Sequence, residues 1–445
     1  MTREPMPVPD DRAVRRAVIG MLALFVAAGF AFASWASRLV AIRLSLGLDP
    51  GQMGLLLLCW SGGSVAAMPL SGRLIKRLGG RVALIVFGCT AAIGLIGAGL
   101  FAAAGSVLGV GALLVALGVG IGVWDVTMNV AATDVERALR RTIMPRFHAG
   151  YSLGTVLAGA AGAGVARLGL PVTAHFAVVA ALSLAMVAWG AGTLLPGGVS
   201  RAERTARPPR RARDPRPDPS PGARSAEHAA HPLEPHDRRE SGRSHAAGQR
   251  KDGVVRSAWS EPRVVLLGVV VLGLSLAEGA ANDWLASGVV QGFKVSEAIG
   301  IIGLTVFLTS QTAVRVFGTR AVDRFGRPAA VRASGLTAIA GVTLYALAPN
   351  LPLVFVGAAL WGAGAALVFP LAMSAAGDDP TRAAARTSTV ATIGYGAFLT
   401  GPPLLGLLCD HVGFRLAMLA LAAPAALAVV FARATGPAER SSPPS

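Results

Sequence analysis

Charge is scarce in this sequence. Asp, Glu, Lys and Arg make up 15% of its 445 residues, against roughly 25% in an average soluble domain. Residues 17–37 carry no charge over 21 positions, and residues 82–124 carry none over 43. A soluble helical protein needs a polar face on most of its helices, so these stretches exclude an ordinary soluble fold. Lysine occurs only at Lys76, Lys251 and Lys294. The three cysteines, Cys59, Cys89 and Cys409, all fall in apolar runs. They lack the spacing of a metal or redox motif and read as small buried hydrophobes. The polar segments contain no phosphate-cradling glycine loop, metal-ligand cluster or nucleophile triad. Enzyme activity, ATP drive and a cofactor therefore have no support.

What the sequence has is apolar length. Hydrophobic residues are 53% of the chain, and they gather into twelve runs: 17–42, 51–72, 82–103, 107–131, 148–168, 172–195, 263–289, 297–318, 329–348, 351–375, 386–409 and 413–432. A helix rising 1.5 Å per residue crosses about 30 Å of hydrocarbon in roughly 20 residues, so each run predicts one crossing. The first run follows Arg12, Arg15 and Arg16 without a small-residue cleavage site, which predicts a retained helix. The fold class expected is an all-α membrane protein with twelve transmembrane helices.

One segment differs. Residues 196–262 are rich in Pro, Arg, Ser and His, as in Arg207-Pro208-Pro209-Arg210-Arg211. That composition buries no core and predicts a disordered linker. Nothing nearby would order its four histidines, His228, His231, His236 and His245, into a metal site. The expected organisation is an N-terminal extension 1–16, a six-helix bundle 17–195, the linker 196–262, a second bundle 263–434 and a tail 435–445.

A net charge of +17 invites a nucleic-acid partner, but the positions argue for topology instead. With the N-terminus placed in the cytoplasm, 36 of the 41 basic residues fall on the inner side. Only Arg38, Arg43, Arg167, Lys294 and Arg415 fall outside. Such an excess predicts cytoplasmic termini and a cytoplasmic linker.

The two halves also repeat. Arg73-Leu-Ile-Lys-Arg-Leu-Gly79-Gly-Arg81 precedes the third run, and Arg320-Ala-Val-Asp323-Arg324-Phe-Gly326-Arg327 precedes the ninth, at an offset of 247 residues. Trp35 and Trp284 match at 249, and Gly54 and Gly300 at 246. Parallel repeats about an axis along the membrane normal are one transporter plan, and the expectation is two pseudo-symmetric six-helix bundles.

With these features the chain resembles the major facilitator superfamily of secondary transporters. The loop between the second and third helices of that family is similar to Gly72-Arg-Leu74-Ile-Lys76-Arg77-Leu-Gly79-Gly80-Arg81, with Lys76 where the family usually has Asp. The second copy keeps Asp323-Arg324-Phe325-Gly326-Arg327. The resemblance implies that Gly72, Arg77, Gly79, Arg81, Asp323, Arg324, Gly326 and Arg327 form cytoplasmic gating loops. A narrower resemblance is to the fucose:proton symporter branch and its bacterial inner-membrane relatives. It rests on Gly29 to Arg38, on Asp125-Val-Thr-Met-Asn129, on Arg146-Phe147-His148 to Gly154, and on Glu278-Gly-Ala-Ala-Asn282-Asp283-Trp284. That branch has an acid near the position of Arg38. The fifth run lacks the proline of a drug-antiporter signature, while Gly401-Pro402-Pro403 lies in the eleventh.

An isolated charge in a span costs at least about 2.5–3.5 kcal/mol, so intramembrane acids are functional candidates. Three qualify: Asp125, Glu278 and Asp283. Asn129 and Asn282 stand four residues after Asp125 and Glu278, which puts each pair on one helix face. The expected role of the two pairs is proton coupling or substrate contact, against a structural hydrogen bond between helices. Arg38 lies at a depth near Asp283, and three roles stay open for it: an outer-gate pair with Asp283, recognition of an anionic substrate, or snorkelling to the interface. His148, Gln311, Trp361 and Tyr395 are secondary cavity candidates, each weighed against packing or an interfacial position. The function expected is alternating-access, proton-coupled transport of a small polar solute by a monomer in a bacterial cytoplasmic membrane. The partners are the solute, protons and the lipid bilayer, with no nucleic acid. Efflux of a drug or organic compound is the alternative within transport, and a non-transporting membrane sensor the alternative outside it.

Overall fold

A computed structural model describes residues 11–139, 141, 143–195, 258–379 and 382–437 of the chain. The expected linker up to residue 257, with its four histidines, the first ten residues and the tail from 438 lie outside the described residues.

Twelve helices are long and apolar enough to cross a membrane: α1 Asp11–Ser37, α2 Pro50–Leu78, α3 Gly80–Ala103, α4 Val107–Leu139, α5 Met144–Arg167, α6 Val172–Gly192, α7 Pro262–Phe293, α8 Glu297–Phe317, α9 Arg327–Leu347, α10 Leu351–Ala376, α11 Ala385–Val412 and α12 Phe414–Thr435. Each matches one expected run. The helices exceed the runs mostly at one end, because a helix continues past the hydrocarbon into water. α4 passes the expected boundary at 131 and carries Asp134, Glu136 and Arg137 in its last turns. Leu108, Leu168, Ile93 and Val430 are largely exposed, as expected of an apolar belt facing lipid rather than water.

Local chemistry sets the ends. Asp49 and Gln52 form a capping box ahead of α2, whose first residue is Pro50. The Glu136 carboxylate at the end of α4 accepts from the backbone N–H of Ile143 at 2.8 Å and of Met144 at 3.2 Å. It thereby satisfies donors that the start of α5 leaves free. Asn350 accepts from Leu353 N–H at 3.1 Å to cap α10. Between α2 and α3 the chain turns at Gly79, with φ 78° and ψ 152°. Between Thr319–Phe325 and α9 it turns at Gly326, with φ 80° and ψ 162°. Only glycine occupies that region without strain, so the two copies of the loop motif share a backbone shape.

The repeat extends to the packing. Trp35 at the end of α1 stacks near Phe176 of α6, ring centroids 5.9 Å apart. Trp284 in α7 meets Phe414 of α12 at 5.9 Å. First helix against sixth and seventh against twelfth are equivalent pairs in two six-helix bundles. Between the bundles, α2 packs on α11 and α5 on α8.

Call the end that carries the first described residues, Gly192, Pro262 and Thr435 the near end. The bundles meet mainly at the far end. Gly51 N–H donates to Asp410 Oδ2 at 3.0 Å. Arg43 lies over the Phe414 ring at 5.4 Å, and Arg38 pairs with Glu297 at 3.4 Å. A Cβ placed on Gly54 would lie 2.5 Å from the Pro402 carbonyl oxygen, so α2 and the Gly-Pro run of α11 approach backbone to backbone. At the near end, charges pair within the second bundle. Asp378 accepts from Arg327 at 2.9 and 3.1 Å and from Arg263 at 3.2 Å. Glu261 binds Arg386 at 2.8 Å and Arg382 at 2.5 Å.

Candidate functional site

A cavity of about 350 Å³ lies between the bundles. It begins beneath the far-end contacts, at Trp35 and Pro402, and runs to His148 and Arg315 on the near side. Asp125, Glu278 and Asp283 all line it. The first bundle thus contributes one acid and the second bundle two.

Asp125 sits mid-helix in α4, and its Oδ1 accepts from Asn129 Nδ2 at 3.3 Å. The same nitrogen donates to the Asp125 backbone carbonyl at 2.9 Å. The i,i+4 spacing read from sequence therefore produces a local clasp: Asn129 supports the acid and does not itself line the cavity. In α7, Asn282 Nδ2 donates to the Glu278 carbonyl at 2.9 Å. Asp283 stands five residues beyond Glu278, a spacing that would turn it off that face in a regular helix. Residues Ala281–Leu285 form a π-turn instead. The wider turn rotates Asp283 back toward the cavity, and π-bulges of this kind recur at functional sites.

Arg315 was not among the candidates from sequence, where it counted as a near-end topology charge. Its Nη2 lies 2.9 Å from Glu278 Oε1. Its Nε donates to Ala366 O at 3.2 Å, a carbonyl exposed where α10 is interrupted between Ala365 and Val368. One signal pointed to it: Arg315 follows Gln311 by four residues, so both share a face of α8, and both line the cavity. Tyr395 and His148 line it too. His148 is exposed there, with its ring edge-on to Phe25 at 5.2 Å. Trp60, Tyr151 and Phe398 complete an aromatic lining, a role that an aromatic residue in an apolar run does not signal by itself.

Two candidates are placed elsewhere. Arg38, 4% exposed, does not line the cavity. Its partners are Glu297 at 3.4 Å and the Leu170 carbonyl at 2.9 Å, so its acid is Glu297 at the start of α8 and not Asp283. The reason is the break after α1: the chain leaves the helix at Arg38, with φ −107° and ψ 8°, and the side chain reaches across the far end. Trp361, fully buried between Phe307 and Tyr345, at 5.7 and 5.6 Å, is a packing residue of the second bundle. Of the expected gating residues, Gly72, Arg77, Gly79, Arg81, Asp323, Arg324 and Gly326 are exposed at the near end. Arg327 holds Asp378 within its own bundle.

Comparison with known proteins fits this architecture. The chain is 30% identical over 416 residues to an uncharacterized transporter of Sinorhizobium fredii, covering 93% of this chain and 96% of that one. Among solved structures, the nucleoside transporter NupG superposes with a TM-score of 0.66 at 14% identity, over 93% of this chain and 98% of that one. The fucose:proton symporter of E. coli superposes with a TM-score of 0.53 at 16% identity, over 95% and 100%. The family model described as the Major Facilitator Superfamily matches residues 20–310 and 267–445. The chain therefore belongs to the major facilitator superfamily, as a multi-pass membrane transporter and not an enzyme.

Proposed function

We propose that this protein moves a small polar solute, sugar-like or another organic metabolite, across a bacterial cytoplasmic membrane by alternating access, coupled to protons. The observation that carries this reading is the cavity between the bundles, lined by Asp125, Glu278 and Asp283 and capped at the far end by contacts between the bundles. A carboxylate in such a place can be protonated when the cavity faces one side and release its proton when it faces the other. Asp125 is the acid assigned to that exchange. Glu278 is neutralised by Arg315, whereas among the described residues Asp125 has no cation beside it, only Asn129. The solved neighbours, a nucleoside transporter and a fucose:proton symporter, support a polar solute and a proton. The near end, with the linker and most of the basic residues, is the cytoplasmic face in this reading, and the protein works as a monomer.

The test is uptake into proteoliposomes under an imposed pH gradient, with the solute chosen by a thermal-shift screen. Asp125→Asn should abolish the gradient's effect while exchange without a gradient persists. Gradient-driven uptake unchanged in both Asp125→Asn and Glu278→Gln would sink proton coupling.

A further inference from the structure

Three carboxylates face the central cavity, and among the described residues Arg315 is the only guanidinium in its lining. That arginine is committed to Glu278 and to the Ala366 carbonyl. Asp125 and Asp283 have no ion-pair partner among the described residues. Next to Asp283, Asn282 is 7% exposed and lines the cavity. Its amide nitrogen is used by the Glu278 carbonyl, and its Oδ1 is buried with no hydrogen-bond partner. A buried carbonyl oxygen left without a donor is rare and costly. The π-turn thus places the Asp283 carboxylate in the cavity lining and an unsatisfied acceptor, the Asn282 side-chain oxygen, buried beside it, with the Asn282 amide nitrogen already used.

The chemistry that satisfies such a wall is a group with several donors, no acceptor and a positive charge, which describes a protonated amine. Aromatic faces attract cations as well, and Trp60, Tyr395 and Phe398 line the same cavity. A neutral polyol would leave the Asp283 charge without compensation. An anion would have to displace Glu278 from Arg315. We infer that the transported solute carries a protonated amine, with Asp283 as its counter-ion and Asn282 Oδ1, once its side chain turns toward the solute, as a second acceptor. This inference rests on the transporter reading above and narrows its polar solute to one bearing an ammonium group. Gln311, 4% exposed with its Nε2 unpartnered, offers the donor that a hydroxyl or carbonyl elsewhere on the solute needs. Asp125, on the opposite bundle, keeps the proton.

The test uses purified full-length protein in detergent at one fixed pH, since His148, Asp125, Glu278 and Arg315 face the same space. Thermal stabilisation is compared for probes that differ only by amine against hydroxyl: glucosamine and glucose, galactosamine and galactose, ethanolamine and ethylene glycol. The expected result is stabilisation by the amine of at least one pair and not by its hydroxyl partner. Asp283→Asn should weaken that binding about 100-fold, and Asp283→Glu, which keeps the charge, should restore part of it in a protein of the same elution volume. Equal stabilisation by the hydroxyl partners, amine binding that survives Asp283→Asn, or no binding by any amine would each overturn the inference. Failure of the transporter reading looks different: amine binding would depend on Asp283, yet that amine would show no flux in proteoliposomes.

Discussion

Glu278 and Arg315 hold each other at 2.9 Å in the lining of the cavity, and removing either leaves the other charge without compensation. The pair is only partly buried, at 28% and 21% exposure, but loss of one partner of such a pair still costs more than loss of both. Glu278→Gln and Arg315→Gln should therefore each destabilise the protein by about 1–3 kcal/mol, with the double variant recovering part of the loss. Melting temperatures of the four proteins in one detergent decide it. Additive losses would mean that the pair contributes no coupling. Side-chain pairing is also where the sequence was least informative. Asp125 and Glu278 were found because an acid in a span stands out. Arg315 was not, because it lies in the last turns of its helix and its role depends on a carbonyl exposed by the break in α10, 51 residues away. Arg38 was legible as a candidate, but Glu297, the acid it meets, was not among the partners its depth suggested. Depth along a helix does not say which neighbour the helix faces, nor that the chain breaks at Arg38 itself.

At the scale of the element, the decisive features are glycines and one irregular turn. Gly79 and Gly326 open α3 and α9 at φ 78° and 80°, in a region where a side chain costs about 1–3 kcal/mol. Gly79→Ala and Gly326→Ala should each lower the melting temperature while leaving the other bundle unchanged, which limited proteolysis of the two halves would show. Gly54 has a different role. Its missing Cβ lets α2 touch the Pro402 backbone of α11 at the far end. Gly54→Val should keep that end from closing and hold the protein open there. A cysteine at Ser64, in the cavity lining, would then react with an impermeant maleimide applied from the far side. Unchanged reactivity would mean that the contact does not seal the cavity. Helix positions were legible because hydropathy and length fix them within a few residues. The π-turn at Ala281–Leu285 was not, since its residues are as helix-compatible as their neighbours and only the packing around α7 widens the turn.

At the scale of the whole molecule, the bundles meet mainly at the far end, and the cavity runs toward the near end, where its lining residue His148 is exposed. In the wild-type protein, that cysteine at Ser64 should react from the near side only. The proposed sidedness rests on the charge pattern: a cysteine placed within residues 196–262 should be inaccessible to an impermeant reagent outside intact cells, and labelling there would invert that topology. The near-end charges also form pairs, Asp378 with Arg263 and Arg327 and Glu261 with Arg382 and Arg386. Part of the basic excess on which the proposed topology rests thus also ties the second bundle together.

The sequence by itself determined the membrane class, the twelve crossings, the two halves and the acids, because burying polar groups in hydrocarbon is so costly that composition along the chain must obey it. The tertiary structure alone decided which charges meet. Arg315 against Glu278, Arg38 against Glu297 and Asp283 turned into the cavity all depend on helix rotations and breaks fixed by side chains distant in sequence, and no local pattern records them.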